Sequence, residues 1–170
     1  MDLCPGFEAN VGQWPDGVRF LARSGSALLM LTAEEAFFAL GAPPVPKVRL
    51  LPLGTKPGAR LAGRKRMLAR ANYFIGDDPV CWRTGVPSFA SVAYESLYPE
   101  VTLIFRRSGG GFEYDVVLEP HVDPQDIRFR FDGASGTRID TDGSLVVTIP
   151  GGELRQPRPF AYQRTRGRAH

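Results

Sequence analysis

The sequence predicts an all-β fold: an antiparallel β-sandwich of about ten short strands with little or no helix. Three observations carry this. Apolar residues alternate with polar ones, as in Phe112, Tyr114, Val116 and Leu118 against Glu113, Asp115 and Glu119, or Ile127, Phe129 and Phe131 against Arg128 and Arg130. That period of two places one set on the face of a half-buried strand. The 19 glycines and 15 prolines fall largely between such runs, where turns belong. No long stretch repeats its apolar residues at the helical period.

Taken in order, Val18–Arg23 and Ala27–Thr32 read as a hairpin around the turn residues Ser24-Gly25-Ser26. Glu34–Leu40 fits either a strand, on the strength of Phe37-Phe38, or a short helix, on that of Glu34-Glu35-Ala36. The prolines of residues 41–46 exclude a ladder there, because proline lacks the donor. Lys47–Leu53 is a strand that Pro52 moves toward an edge, and Gly54–Gly63 is a turn-rich, basic edge. Val86–Ala90 and Val101–Arg106 are strands separated by a compact turn at Tyr94–Pro99. Ser108–Gly111 turns the chain into the strand Phe112–Glu119, and Asp126–Asp132 is the next strand. Asp142-Gly143 joins Thr137–Thr141 to Ser144–Ile149, since glycine accepts positive φ without strain. Glu153–Gln156 and Phe160–Gln163 form a last short pair.

Length and composition fit one domain, residues 1–163, followed by a basic disordered tail, 164–170. With 43% hydrophobic and 23% charged residues the chain has an ordinary globular balance. No window approaches the roughly 18 apolar residues of a transmembrane helix. No basic-then-apolar leader opens the sequence, so either the protein is cytosolic or its export signal lies outside this stretch. Cys4 and Cys81 make no disulfide framework, and two thiols without a partner are the plainer reading. No metal spacing and no cofactor motif is present; Gly109-Gly-Gly111 precedes a strand rather than a helix, so it cradles no phosphate.

The charge is lopsided. Lys47, Arg49, Lys56, Arg60, Arg64, Lys65, Arg66 and Arg70 occupy a stretch, Gly41–Gly76, that holds no acid. Arg60, Arg64, Lys65, Arg66 and Arg70 are the candidate basic face. Solvated strand faces explain such a run better than a nucleic-acid surface does. Other constellations have plain structural explanations. Glu113 and Asp115 share a strand face and suit ion pairs with neighbouring arginines better than glycosidase chemistry. Asp140-Thr-Asp-Gly-Ser144 has oxygens at calcium-like spacing but lacks the later glutamate of a calcium loop. His121 sits in a turn with no nucleophile elbow. Trp82, Tyr94 and Tyr98 are the candidate ligand-binding aromatics, since exposed rings on a β-sandwich can stack on sugars.

Phe7-Glu-Ala-Asn-Val-Gly-Gln13, Asn72-Tyr-Phe-Ile-Gly-Asp-Asp-Pro79 and Trp82-Arg-Thr-Gly-Val-Pro87 form a signature, continued by Tyr98-Pro-Glu-Val101, Arg128-Phe-Arg-Phe-Asp-Gly133 and Gly152-Glu-Leu-Arg-Gln156. In these motifs the chain resembles the N-terminal domain, of unknown function, of bacterial SBBP-repeat (β-propeller repeat) proteins. The resemblance implies a non-catalytic structural or interaction module of a cell-envelope or extracellular protein, partnered by another protein or an adjacent domain. A carbohydrate-binding module is the alternative. The two differ in whether Trp82, Tyr94 and Tyr98 are exposed and coplanar.

Overall fold

The computed structural model describes residues 6–40, 47–55, 58–109, 111–165 and 168–169. By internal contacts the chain divides into two compact units, Met1–Asp132 and Gly133–His170, where the sequence suggests one domain to residue 163.

The first unit is a ten-stranded antiparallel sheet. Its strands are β1 (Phe7–Ala9), β2 (Phe20–Ser24), β3 (Ala27–Leu31), β4 (Ala36–Leu40), β5 (Lys47–Leu53), β6 (Arg60–Tyr73), β7 (Arg83–Tyr98), β8 (Val101–Ser108), β9 (Gly111–Leu118) and β10 (Arg128–Asp132). They run in the order β10-β5-β4-β3-β2-β1-β7-β8-β9, with β6 on β7. The sheet curls so that its two ends face each other. The Tyr98 hydroxyl, at the end of β7, donates to the carbonyls of Leu53 on β5 and Arg128 on β10, at 2.8 and 3.0 Å. Tyr114 of β9 meets Phe129 of β10 at 5.8 Å between ring centres. The core lies inside this curl, with Phe7, Ala22, Leu29, Leu31, Leu50, Val92, Tyr94, Leu103 and Phe105 buried together. Ile127, Phe129 and Phe131 pack against it, as their alternation predicts.

Glu34–Leu40 resolves as a strand, β4, entered by a turn in which the Thr32 hydroxyl accepts from the backbone N–H groups of Glu34 and Glu35. β5 is not at an edge: β4 and β10 flank it. Pro52 is tolerated because the β4 ladder ends at Leu50, which leaves that side of residue 52 without a partner strand. The larger difference is β6. The turn-rich reading of Gly54–Gly63 gives way at Arg60 to a 14-residue strand along β7 that runs on to Tyr73, interrupted by a shift in register between Arg66 and Arg70. Gly63 lets it lie close: a Cβ there would sit 2.5 Å from the Phe89 ring. The expected turn at Tyr94–Pro99 is instead the end of β7, which bulges at Ser96, where φ is +58°. The bulge changes the alternation, so that the consecutive residues Leu97 and Tyr98 are both buried.

In the second unit, β11 (Gly136–Ile139), β12 (Leu145–Ile149) and β13 (Gly152–Gln156) form a three-stranded antiparallel sheet. Gly143 takes φ +81° in the Asp142-Gly143 turn, as the hairpin reading requires. Val146 and Val147 point to opposite faces of β12 and both are fully buried. β13 pairs with β12, so the expected pairing of Glu153–Gln156 with Phe160–Gln163 does not form. Within the expected tail, β14 (Arg164–Thr165) and β15 (Arg168–Ala169) pair with each other, and residues 166, 167 and 170 lie outside the described residues.

Candidate functional site

The first signature stretch, some sixty residues before the other two, meets them at one end of the first unit. β1 carries Phe7 into the core and, one residue on, turns Glu8 to the other face, opposite Leu21 of β2 and Ser88 of β7. Glu8 is only 4% exposed. A buried carboxylate needs partners, and it has two. Arg23 Nη1 lies 3.3 Å from Glu8 Oε1, and the Tyr73 hydroxyl donates to Glu8 Oε2. Arg23 Nη1 also donates to the Tyr73 oxygen at 3.2 Å, which closes a triangle. Trp14 covers it, with the Arg23 guanidinium 4.9 Å from the centre of its ring and Tyr73 packed edge-on at 5.8 Å. Burial, and then the bond to Glu8, raise the Tyr73 pKa above the ordinary phenol value.

The rest of the signature fixes the surrounding loops. Asn10 Nδ2 donates to the carbonyls of Trp14, Pro15 and Val18, while its Oδ1 accepts from the N–H groups of Gly12 and Trp14. Gln13 bonds the Ala9 carbonyl and the Val11 N–H. Gly12 has φ +103°, and a Cβ there would stand 2.9 Å from Arg83 Nε. Asn72 Oδ1 accepts from the Gly85 N–H, Trp82 Nε1 donates to the Gly76 carbonyl, and Arg83 Nη1 donates to the carbonyls of Val80 and Trp82. Asp78 caps the short 3-10 turn Pro79–Cys81 through the Val80 N–H.

Glu8 and Gln13 are buried while Asn72 and Asp78 stand at the surface, and the loops these residues hold expose apolar side chains: Val11, Phe74, Ile75, Val80 and Trp82. Val80 is 81% and Phe74 64% exposed. Phe74 and Trp82 meet at 5.1 Å with their planes at 90°. Cys81 sits exposed in the same loop; Cys4 lies outside the described residues.

The ligand-binding trio is not brought together. Tyr94 and Tyr98 are core residues, 2% and 6% exposed. The Tyr94 hydroxyl donates to the carbonyls of Thr32 and Glu35, at 2.9 and 3.0 Å, so neither ring is available for stacking. Burial and the nearby Glu35 charge hold the Tyr94 hydroxyl protonated. Of the three, Trp82 alone reaches the surface.

The basic residues all lie on β6. Arg60 and Arg64 share one carboxylate, Glu95, at 3.8 and 3.1 Å. Arg70 donates to the Gly85 carbonyl. Lys65 and Arg66 are exposed and have no ion-pair partner among the described residues. Of the carboxylates weighed for catalysis or calcium, Asp115 pairs with Arg106, and Arg155 bridges Asp140 and Asp142 at 2.8 Å each. Among the described residues no cluster of three or more metal-ligating side chains occurs, and no helix is long and apolar enough to cross a membrane.

Glu8 and Arg23 are the residues sequence reasoning passed over. Glu8 lies in a stretch without evident chemistry, and its partners stand 15 and 65 positions away. The one available signal was an acid next to the apolar Phe7 in a segment that also holds Asn10, Gly12 and Gln13.

Comparison with curated proteins finds no match, and comparison with solved structures finds none either. The family model of a domain of unknown function, DUF7948, matches residues 7–170, so the convergent signature described above sits within that match, and the chain belongs to the DUF7948 family.

Proposed function

We propose that this domain is a non-catalytic interaction module whose docking surface is the apolar end around Val80 and Trp82. One observation carries the reading: polar side chains of three signature stretches bond within the chain and hold loops that expose Val11, Phe74, Ile75, Val80 and Trp82. A cluster of exposed apolar side chains on a rigid support is characteristic of a surface that another protein covers. Both oxygens of Glu8 are engaged by neighbours, which supports a structural rather than a catalytic role for it.

The partner is a protein or an adjacent domain rather than a glycan. Phe74 and Trp82 stand perpendicular, so they present an edge and a face instead of one flat platform. The resemblance of the motifs to SBBP-repeat proteins is the support for a bacterial cell-envelope or extracellular setting.

The test is a photo-crosslinking residue placed at Val80 in the native host, with Val117, exposed on β9, as control position. A discrete adduct from position 80 that position 117 does not give, and that Phe74→Ser abolishes, is the expected result. No adduct, or the same adducts from both positions, overturns the reading. On a glycan array, binding that survives physiological salt and disappears in Trp82→Ala would transfer this surface to a carbohydrate ligand.

A further inference from the structure

We propose that the outer edge of β6 at Arg60–Arg64 takes up, as an added strand, an extended segment of a partner protein in which acidic and apolar residues alternate. The inference rests on the interaction-module reading but uses a surface separate from the Val80 loop.

The edge itself is the first observation. Phe89 of β7 pairs with both Phe7 of β1 and Arg66 of β6, and Ser91 with both Arg64 of β6 and Arg106 of β8. A residue has one partner on each side, so β6 lies on the edge of β7 opposite to β1 and β8. Among the described residues β6 pairs with no other strand. Its outer edge therefore presents alternate N–H and C=O groups that a further strand can bond. The regular ladder runs from Arg60↔Glu95 to Arg64↔Ser91. Beyond it Lys65 has φ +53° and the register shifts after Arg66, which limits the site to about one short strand.

The two faces of this segment define the occupant. Arg60, Ala62 and Arg64 lie on the face that carries Glu95, Ala93 and Ser91. One carboxylate serves both arginines, so this face has an excess of positive charge. Leu61 and Gly63 lie on the opposite face, with Tyr94 and Val92. On that side a shallow cleft of about 360 Å³ is lined by Ala9, Phe20, Ala33, Ala59 and Leu61, with Asn10 and Arg19 at its polar part. An added strand sends alternate side chains to these two faces. Acidic residues meet the arginines and apolar ones meet the cleft. The same charges reject a second copy, since β6 against β6 would oppose arginine to arginine.

The probe is a fluorescent peptide, Glu-Val-Glu-Val-Glu-Val-Glu, titrated with the whole protein by anisotropy. Its controls are Lys-Val-Lys-Val-Lys-Val-Lys and two versions of the acidic peptide N-methylated at alternate residues, one in each register. The expected result is saturable binding of the acidic peptide, loss in the lysine peptide and in at least one N-methylated version, and a weakening of about tenfold in Arg60→Glu/Lys65→Glu. Ala33→Trp, at an exposed turn position beside the cleft, should weaken it without the charge change. Thermal melts confirm that both variants fold. Equal binding of all N-methylated versions means adhesion to arginines without strand addition and overturns the proposal, as does no binding or self-association through this edge. If the peptide fails while Val80 still crosslinks, the interaction-module reading stands and this inference falls; if both fail, both fall.

Discussion

Two arginine–carboxylate clusters in this chain use the same chemistry at opposite depths. In the first unit Glu8, with a side chain 5% exposed, is paired with Arg23 and Tyr73 beneath Trp14. In the second, Arg155 spans Asp140 and Asp142 with all three side chains a third or more exposed. The second cluster has the better geometry, with two contacts of 2.8 Å against one of 3.3 Å. Depth rather than distance should set the energetic consequence. An exposed pair exchanges water for protein at little net gain, whereas a buried carboxylate that loses its partner has no water to replace it.

The largest effect should therefore follow Arg23→Met, which leaves Glu8 charged and buried. A loss of about 3 kcal/mol is expected, at the lower end for broken buried pairs because Arg23 itself is 39% exposed. Urea denaturation measures it. Adding Glu8→Gln should recover more than half of the loss, because the amide still accepts from Tyr73 but needs no counter-charge. If Arg23→Met costs no more than a surface substitution, depth does not govern the comparison.

A smaller effect is expected for Tyr73→Phe, which removes the hydroxyl donor from Glu8 and leaves the Arg23 pair in place. The cost should be about 1.5–2 kcal/mol, the lower part of the range for a hydrogen bond to a charged group. The exchange rates of the Gly12 and Trp14 amides, which Asn10 holds nearby, should rise as well. A change in the melt without any change at those amides would show that the triangle and the Asn10 loop are independent.

The same depth difference explains what could be read from the chain. β9 and β10 were legible because each is half-buried and its inward positions are regularly apolar, and the Asp142-Gly143 turn because its chemistry is local. β6 was not. Its pattern mixes arginines, glycine and a bulge, and what makes it a strand is the length of β7 beside it, a tertiary fact. Tyr94 and Tyr98 were placed in a turn because Pro99 follows, whereas the bulge at Ser96 lets β7 continue and buries both. At the candidate site, Trp82 was identified for its ring, but Glu8 and Tyr73, which help shape the surface, act through partners distant in sequence. No local spacing encodes such a pairing.

The exposed cluster should respond to pH more than to substitution. The Ser144 backbone N–H, and then Arg155, hold the Asp142 carboxyl down to about 2; Asp140 is lowered too, by the Thr141 N–H first and Arg155 next. A carboxylate with a depressed folded pKa contributes its stability above the unfolded value, 3.8, and loses it as pH falls through the folded one. The window is thus from pH 4 down to about 2. Carboxyl carbon NMR titration should place Asp142 near the bottom of that window in the native chain. In Arg155→Met it should rise only part of the way, since the larger contribution, from Ser144, remains. At neutral pH the same variant should shift the melting temperature by no more than replicate scans differ, because the freed carboxylates return to water. A clear loss of stability at neutral pH would mean that Arg155 organises the turn itself rather than only neutralising it, and the two clusters would then differ in degree and not in kind.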